Sequence, residues 1–181
     1  MRAHGRRNAR SPALAVLVAL AVVATDARAL TLAAMPLEEL TRSASLVVRA
    51  RCTEREVVRS ASGRVESLAR FEVVEEAKGS APRVVTVRQL GGRLDGTEVV
   101  VPGAPLSEPG DEAVLFLEPH DGDVLTVVGL ALGYMPVAVV PGSGAVVRVS
   151  RTLGAEYAAG GVRRVNDVLQ RVREIDGLDR R

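Results

Sequence analysis

Between Glu112 and Glu118 stand five consecutive apolar residues, Ala113-Val114-Leu115-Phe116-Leu117. In a strand, successive side chains point to opposite faces. An apolar run without a polar break therefore needs cover on both faces, and it predicts a central strand. The rest of the chain is consistent with a sheet around it. Valine dominates the apolar residues, and Phe71, Phe116, Tyr134 and Tyr157 are the only aromatics. β-Branched side chains fit a pleated surface better than a helix, so the expectation is a mainly β domain.

Other strands alternate and are separated by turn residues. Ser45 to Val58 puts Val48, Ala50 and Cys52 on one face and Arg49, Arg51 and Thr53 on the other. Ser60-Ala61-Ser62-Gly63 reads as a turn into Val65 to Ala77, with Phe71 and Val73 inward, ended by Lys78-Gly79-Ser80-Ala81-Pro82. Arg83 to Leu90 alternates again until Gly91-Gly92 breaks it. Thr97 to Val101 precedes a loop from Pro102 to Gly110. His120-Asp121-Gly122-Asp123 turns into Val124 to Val128, and Tyr134 to Val140 follows. Pro141-Gly142-Ser143-Gly144 then turns into Ala145 to Val149. Short turns between successive strands imply an antiparallel meander with extra strands, curled or closed into a barrel to manage its edges.

Two segments have helical spacing. Pro36, Leu37, Leu40 and Ala44 predict a short N-terminal helix with Glu38 and Glu39 near its positive end, placed to plug one end of the sheet. Val162, Val165, Val168, Leu169, Val172 and Ile175 predict an amphipathic helix over 161–175, opened by Gly160-Gly161 and stopped near Gly177. It either docks on the barrel or offers its apolar stripe to a partner.

The first 29 residues read as an export signal. Arg2, Arg6, Arg7 and Arg10 precede an apolar run from Ala13 to Ala24, and Ala27-Arg28-Ala29 supplies a cleavage site. The run of 12 residues is short of the roughly 20 that a membrane-crossing helix needs. Cleavage, and an extracytoplasmic location in a periplasm or outside the cell, are therefore expected. The domain plan is signal peptide 1–29, β-barrel domain with its short helix 30–160, and helix plus tail 161–181. The signal carries five of the 24 basic and one of the 22 acidic residues, so residues 30–181 hold 19 basic and 21 acidic groups. With no basic run interleaved with aromatics, nucleic-acid binding has little electrostatic support. Lys78 is the sole lysine beside 23 arginines, a bias that a GC-rich coding sequence produces as readily as function does.

The catalytic inventory is small. One cysteine, Cys52, excludes an internal disulfide and reads as a buried, inert thiol, with an intermolecular bridge as the alternative. Its neighbours Arg49-Ala50-Arg51 form no lipid-attachment context. His120 is the only histidine after residue 29, which removes multi-histidine zinc sites and makes any triad depend on one turn residue. Gly142-Ser143-Gly144 lacks the frame of a nucleophile elbow, and Gly91 to Gly96 lacks phosphate-loop spacing and its lysine. No cofactor is implied. Glu118, His120, Asp121 and Asp123 are the candidate metal ligands, the oxygens of the three carboxylates being suited to calcium. The acidic turn around Asp121 and Asp123 is also where a metal-dependent or carboxylate-based hydrolase would work.

Three segments carry a resemblance: Ser45-Leu46-Val47-Val48-Arg49-Ala50, Arg70-Phe71-Glu72-Val73-Val74-Glu75-Glu76-Ala77-Lys78-Gly79, and Pro109-Gly110-Asp111-Glu112-Ala113-Val114-Leu115-Phe116-Leu117. Together they resemble a group of uncharacterised exported bacterial proteins, and their order is similar to the OB-like barrel of the netrin and tissue-metalloproteinase-inhibitor modules. The resemblance implies a five-stranded OB-like barrel over about residues 45–135. The inhibitors' function does not carry over. It depends on an amino-terminal cysteine, whereas here the processed chain would begin Leu30-Thr31-Leu32. The leading expectation is a non-catalytic binding module for a protein or envelope component, acting through the Pro102 to Gly110 loop or the terminal helix.

Overall fold

The computed structural model describes residues 35–149 and 161–180, all within one compact unit, Thr31–Arg181. Its hub is the apolar run. Strand β6 (Glu112–Asp121) pairs with β1 (Leu46–Arg59) along one edge, from Leu46↔Leu117 to Arg51↔Glu112. Its other edge is shared. Nearest its start it pairs with β8 (Tyr134–Val140), and further on with β7 (Val124–Val127). Ala113, Leu115 and Leu117 are buried with Val48, Ala50, Phe71 and Val87. Val114 and Phe116, on the opposite face, are buried in a separate cluster. The double cover expected for this strand is present.

The first cluster is the inside of a closed ring of five strands. β1 pairs with β2 (Val65–Lys78), β2 with β3 (Val84–Leu90), β3 with β7, β7 with β6, and β6 again with β1. β1 serves two neighbours because it is long and bent. Its ladder with β2 shifts register three times, at Val47/Val48, Arg49/Ala50 and Cys52/Glu54, and such bulges increase twist and let a sheet curl. The expectation of antiparallel pairing fails at one seam. β3 and β7 run parallel, from Thr86↔Val124 to Arg88↔Thr126. Turn residues announce hairpins between neighbouring strands, and this seam joins strands that no turn connects.

The second cluster lies outside the ring. Helix α1 (Leu37–Ser43) contributes Leu37 and Leu40, with Ala44 just after it, and helix α2 (Val165–Asp179) contributes Val165, Val168, Leu169, Val172 and Ile175. They cover Val47, Val114, Phe116 and Val147. Thus α1 belongs to an outer layer and does not plug the sheet. The predicted helix over 161–175 also begins later and ends later. Gly161–Arg164 forms strand β10 against β9 (Gly144–Val149), and Gly177 lies within α2. Ladder bonds to β9 satisfy this backbone, which has no side-chain cap with which to start a helix. Val162, assigned to the apolar stripe, is consequently exposed.

A small hairpin, β4 (Gly92–Leu94) and β5 (Thr97–Val99), folds back from the end of β3. Asp95 and Gly96, at φ 51° and 77°, make the two-residue turn that matches strand twist. At Gly92 a Cβ would stand 2.7 Å from Ser67 Oγ and 2.9 Å from a Val57 methyl, so only glycine fits there.

The sole lysine has a structural task. Lys78 Nζ donates to the carbonyls of Thr41 (2.7 Å) and Arg42 (3.4 Å) at the C-terminus of α1, where a cation suits the helix dipole. Lys78→Met is expected to lower stability by about 1–2 kcal/mol, a fall of roughly 3–8 °C in melting temperature, with Lys78→Arg retaining part of it. Unchanged thermal denaturation of the Met variant would show that the contact contributes nothing.

Candidate functional site

One end of the ring is closed by a polar plug. On β3, Val85, Val87 and Gln89 alternate inward, so a buried amide follows two valines. The long loop after β5 brings Ser107 to it. Gln89 Nε2 donates to Ser107 Oγ (2.8 Å), Ser107 N–H donates to Gln89 Oε1 (3.0 Å), and Ser107 Oγ donates to Tyr134 Oη (3.0 Å). Burial pushes the Tyr134 hydroxyl pKa up, against the hydrogen bond with Ser107. Arg55 pairs with Glu108 at 2.8 Å, and Gly110 N–H donates to Cys52 O (2.8 Å). The Pro102 to Gly110 loop is thereby pinned to the ring. The stripe of α2 is engaged as well, with five of its apolar residues buried. The apolar stripe of α2 is thus occupied by the fold, whereas in the loop Ser107 is buried and Pro102, Gly103, Leu106 and Glu108 stay exposed.

An open cleft lies elsewhere, on the outer face of β2 and β3. It holds about 490 Å³ and runs between the turn Ser60–Arg64 and the turn joining β6 to β7. Its floor is Glu66, Leu68 and Arg88, and its walls include Ser60, Arg64, His120 and Asp121. No helix residue lines it. Arg88 grips Glu66 through two hydrogen bonds, Nε to Oε2 at 2.7 Å and Nη2 to Oε1 at 2.5 Å. With side-chain exposures of 15% and 9%, the pair is a fixed part of the floor. The hydrogen bond from Arg88 holds the Glu66 carboxyl below the ordinary carboxylate range against the opposing effect of burial, and the same bond raises Arg88. A second network, outside the cleft on the β1–β6 ladder, joins Arg49 and Arg51 to Glu112 at 2.5 and 3.0 Å. Burial there raises the Glu112 pKa, and the arginine hydrogen bonds outweigh it, so the carboxyl is lowered.

The four candidate ligands are distributed over three depressions. Glu118 lines a hollow of about 290 Å³ beside Ala104 and Pro105. His120 and Asp121 line the cleft, and Asp123 faces a groove of about 700 Å³ on the other side of its turn. Among the described residues no group of three or more His, Cys, Asp or Glu side chains is placed to hold a metal ion. Cys52 is buried inside the ring, its Sγ 3.5 Å from Glu54 O, and burial raises its pKa, as for an unreactive thiol. Phe71 and Phe116 are fully buried and Tyr134 belongs to the plug. Among the described residues the cleft therefore has no phenyl, phenol or indole ring on which a base or sugar would stack, and its aromatic surface is the imidazole of His120.

Sequence reasoning missed Arg64, Glu66 and Arg88 as neighbours. Glu66 and Arg88 meet only because β2 and β3 pair in the register Ser67↔Gln89 and Leu68↔Arg88, which no local pattern encodes. Gln89 did carry a signal, a polar residue at an inward position of an alternating strand.

The class these features define is a mainly β chain with a closed ring of five strands, two helices over one wall and an open cleft on another. Neither a family model nor a curated protein matches the sequence. No helix among the described residues is long and apolar enough to cross a membrane.

The ion pair in the floor makes stability depend on pH with a definite sign. Glu66 has a depressed folded-state pKa, so its contribution is present above the ordinary carboxylate range and lost as pH falls through the depressed value. In urea denaturation from about pH 7 to about pH 3, the native protein is expected to lose stability more steeply than Glu66→Gln. The variant starts less stable and the two curves converge in acid. Parallel curves would contradict this assignment.

Proposed function

We propose that this chain is an exported, non-catalytic binding module with an OB-like ring, holding a protein or envelope component against the cleft between Ser60–Arg64 and His120–Asp121. The observation that carries the reading is the circuit β1-β2-β3-β7-β6, closed by the parallel β3–β7 seam, with the β2–β3 face left open. OB-fold proteins use that same face and the two turns beside it to hold extended ligands. It supports the similarity to the netrin and metalloproteinase-inhibitor modules at the level of fold, and a shared fold is no warrant for inhibition.

The chemistry of the cleft narrows the partner. Its cations, Arg64 and the paired Arg88, stand beside Glu66 and Asp121, so it lacks the positive field that would follow a phosphate backbone. A polar protein surface suits this mixed lining better. The basic and apolar composition of residues 1–29 supports export, which on this reading would put the module in a periplasm or outside the cell.

A photo-crosslinking residue at His120, in the cleft, is compared with one at Asn166, on the exposed side of α2, in the native envelope. A discrete adduct is expected from position 120, absent at 166, and suppressed by Arg64→Glu. Adducts of equal yield at both positions, or none at 120, would overturn the reading.

A further inference from the structure

On the other side of the β6–β7 turn, the parallel seam leaves part of a strand edge uncovered. Val73 N–H donates to Arg83 O at 2.9 Å. In an antiparallel ladder the backbone groups of successive residues point to alternate sides. Those of Val84 therefore point away from β2, toward the side that β7 occupies further along. The β3–β7 register begins only at Thr86↔Val124, so no residue of β7 stands opposite Val84. Pro82, two positions earlier, has no N–H to offer.

This edge borders the groove of about 700 Å³, where Leu46, Pro82, Val84, Pro119 and Leu125 supply apolar walls. Leu46 and Leu125 also pack with the ring's inner cluster, so the groove is a mouth onto the interior at the end away from the Ser107 plug. Val84 is 44% exposed. Asp123 is the one charged side chain among the lining residues.

We propose that this groove takes an extended polypeptide segment of a partner protein, added as a short strand against Val84. An apolar side chain of the segment enters between Leu46 and Leu125, and a lysine or arginine of the segment meets Asp123. Three independent features converge on that occupant. Outward-facing strand-edge groups call for a backbone, the apolar mouth calls for a buried side chain, and a lone carboxylate calls for a cation. The inference deepens the binding-module reading but concerns a different surface from the cleft, so the two fail separately.

The test is a backbone NMR titration of the purified protein with the probe peptide acetyl-Thr-Val-Leu-Val-Lys-amide. Two control peptides accompany it, one N-methylated at its central leucine and one carrying glutamate in place of lysine. Shifts are expected at the Val84, Thr86 and Asp123 amides, with affinity reduced about tenfold or more for each control peptide. Asp123→Lys, a change at an exposed turn position, should reverse the preference between the lysine and glutamate peptides. Equal binding of the N-methylated peptide, shifts confined to the cleft around Arg64, or no shifts at peptide concentrations on the order of millimolar would each overturn the proposal. Shifts produced by an acyl detergent but not by the peptide would also overturn it, identifying a site for an apolar chain. Loss of peptide binding together with a persistent adduct from position 120 would leave the cleft reading intact.

Discussion

The structure depends on the need to cover Ala113 to Leu117 twice. Full burial of side chains such as Leu115 and Phe116 contributes about 1.5–3 kcal/mol each, and one layer can serve only one face of a strand. The ring encloses one face and the two helices close over the other. Placement of the helices follows. They lie over β1, β6, β8 and β9, and the cleft on the β2–β3 wall stays clear of them. An open face with ion pairs along it is thus a product of the same requirement that builds the core.

The two ends of the ring differ in kind. At one, Gln89, Ser107 and Tyr134 form a buried hydrogen-bonded plug that holds a long loop in place. Such a network fixes geometry when every member is satisfied. At the other, the parallel seam is only three residue pairs long, and β3 extends past it into an apolar groove. Binding surfaces tend to occur where the scaffold is rigid and the covering is thin. Both the cleft and the groove border the short turn at Gly122–Asp123, which separates them.

Much of the strand content was legible because it depends on nearby residues. Alternation marked Val48, Ala50 and Cys52 as one face, and all three are buried inside the ring. Glycine and proline clusters marked the turns at Ser60–Gly63 and Pro141–Gly144. The Asp95-Gly96 dipeptide is a hairpin-turn signal of the same local kind. What escaped was non-local. The β3–β7 seam, the closure of β1 on β6 and the Glu66–Arg88 contact are set by register between distant strands. The start of α2 was misplaced because Val162 fits a helical stripe and a strand alike, and pairing with β9 decided between them. As for the site, His120 and Asp121 were identified as chemistry-bearing residues, but their company was not. The sequence groups them with Glu118 and Asp123, and the fold sends those two into other depressions.

The central proposal is that this chain holds a partner against the wall the helices leave open. Hydrogen–deuterium exchange on the protein in its native envelope, with and without displacement of the bound partner, reads that wall directly. Partner-dependent protection is predicted along 60–68, 88–90 and 118–121, with the amides of α2 unchanged. Protection confined to α2 or to the Pro102 to Gly110 loop, with the β2–β3 wall unaffected, would contradict the account.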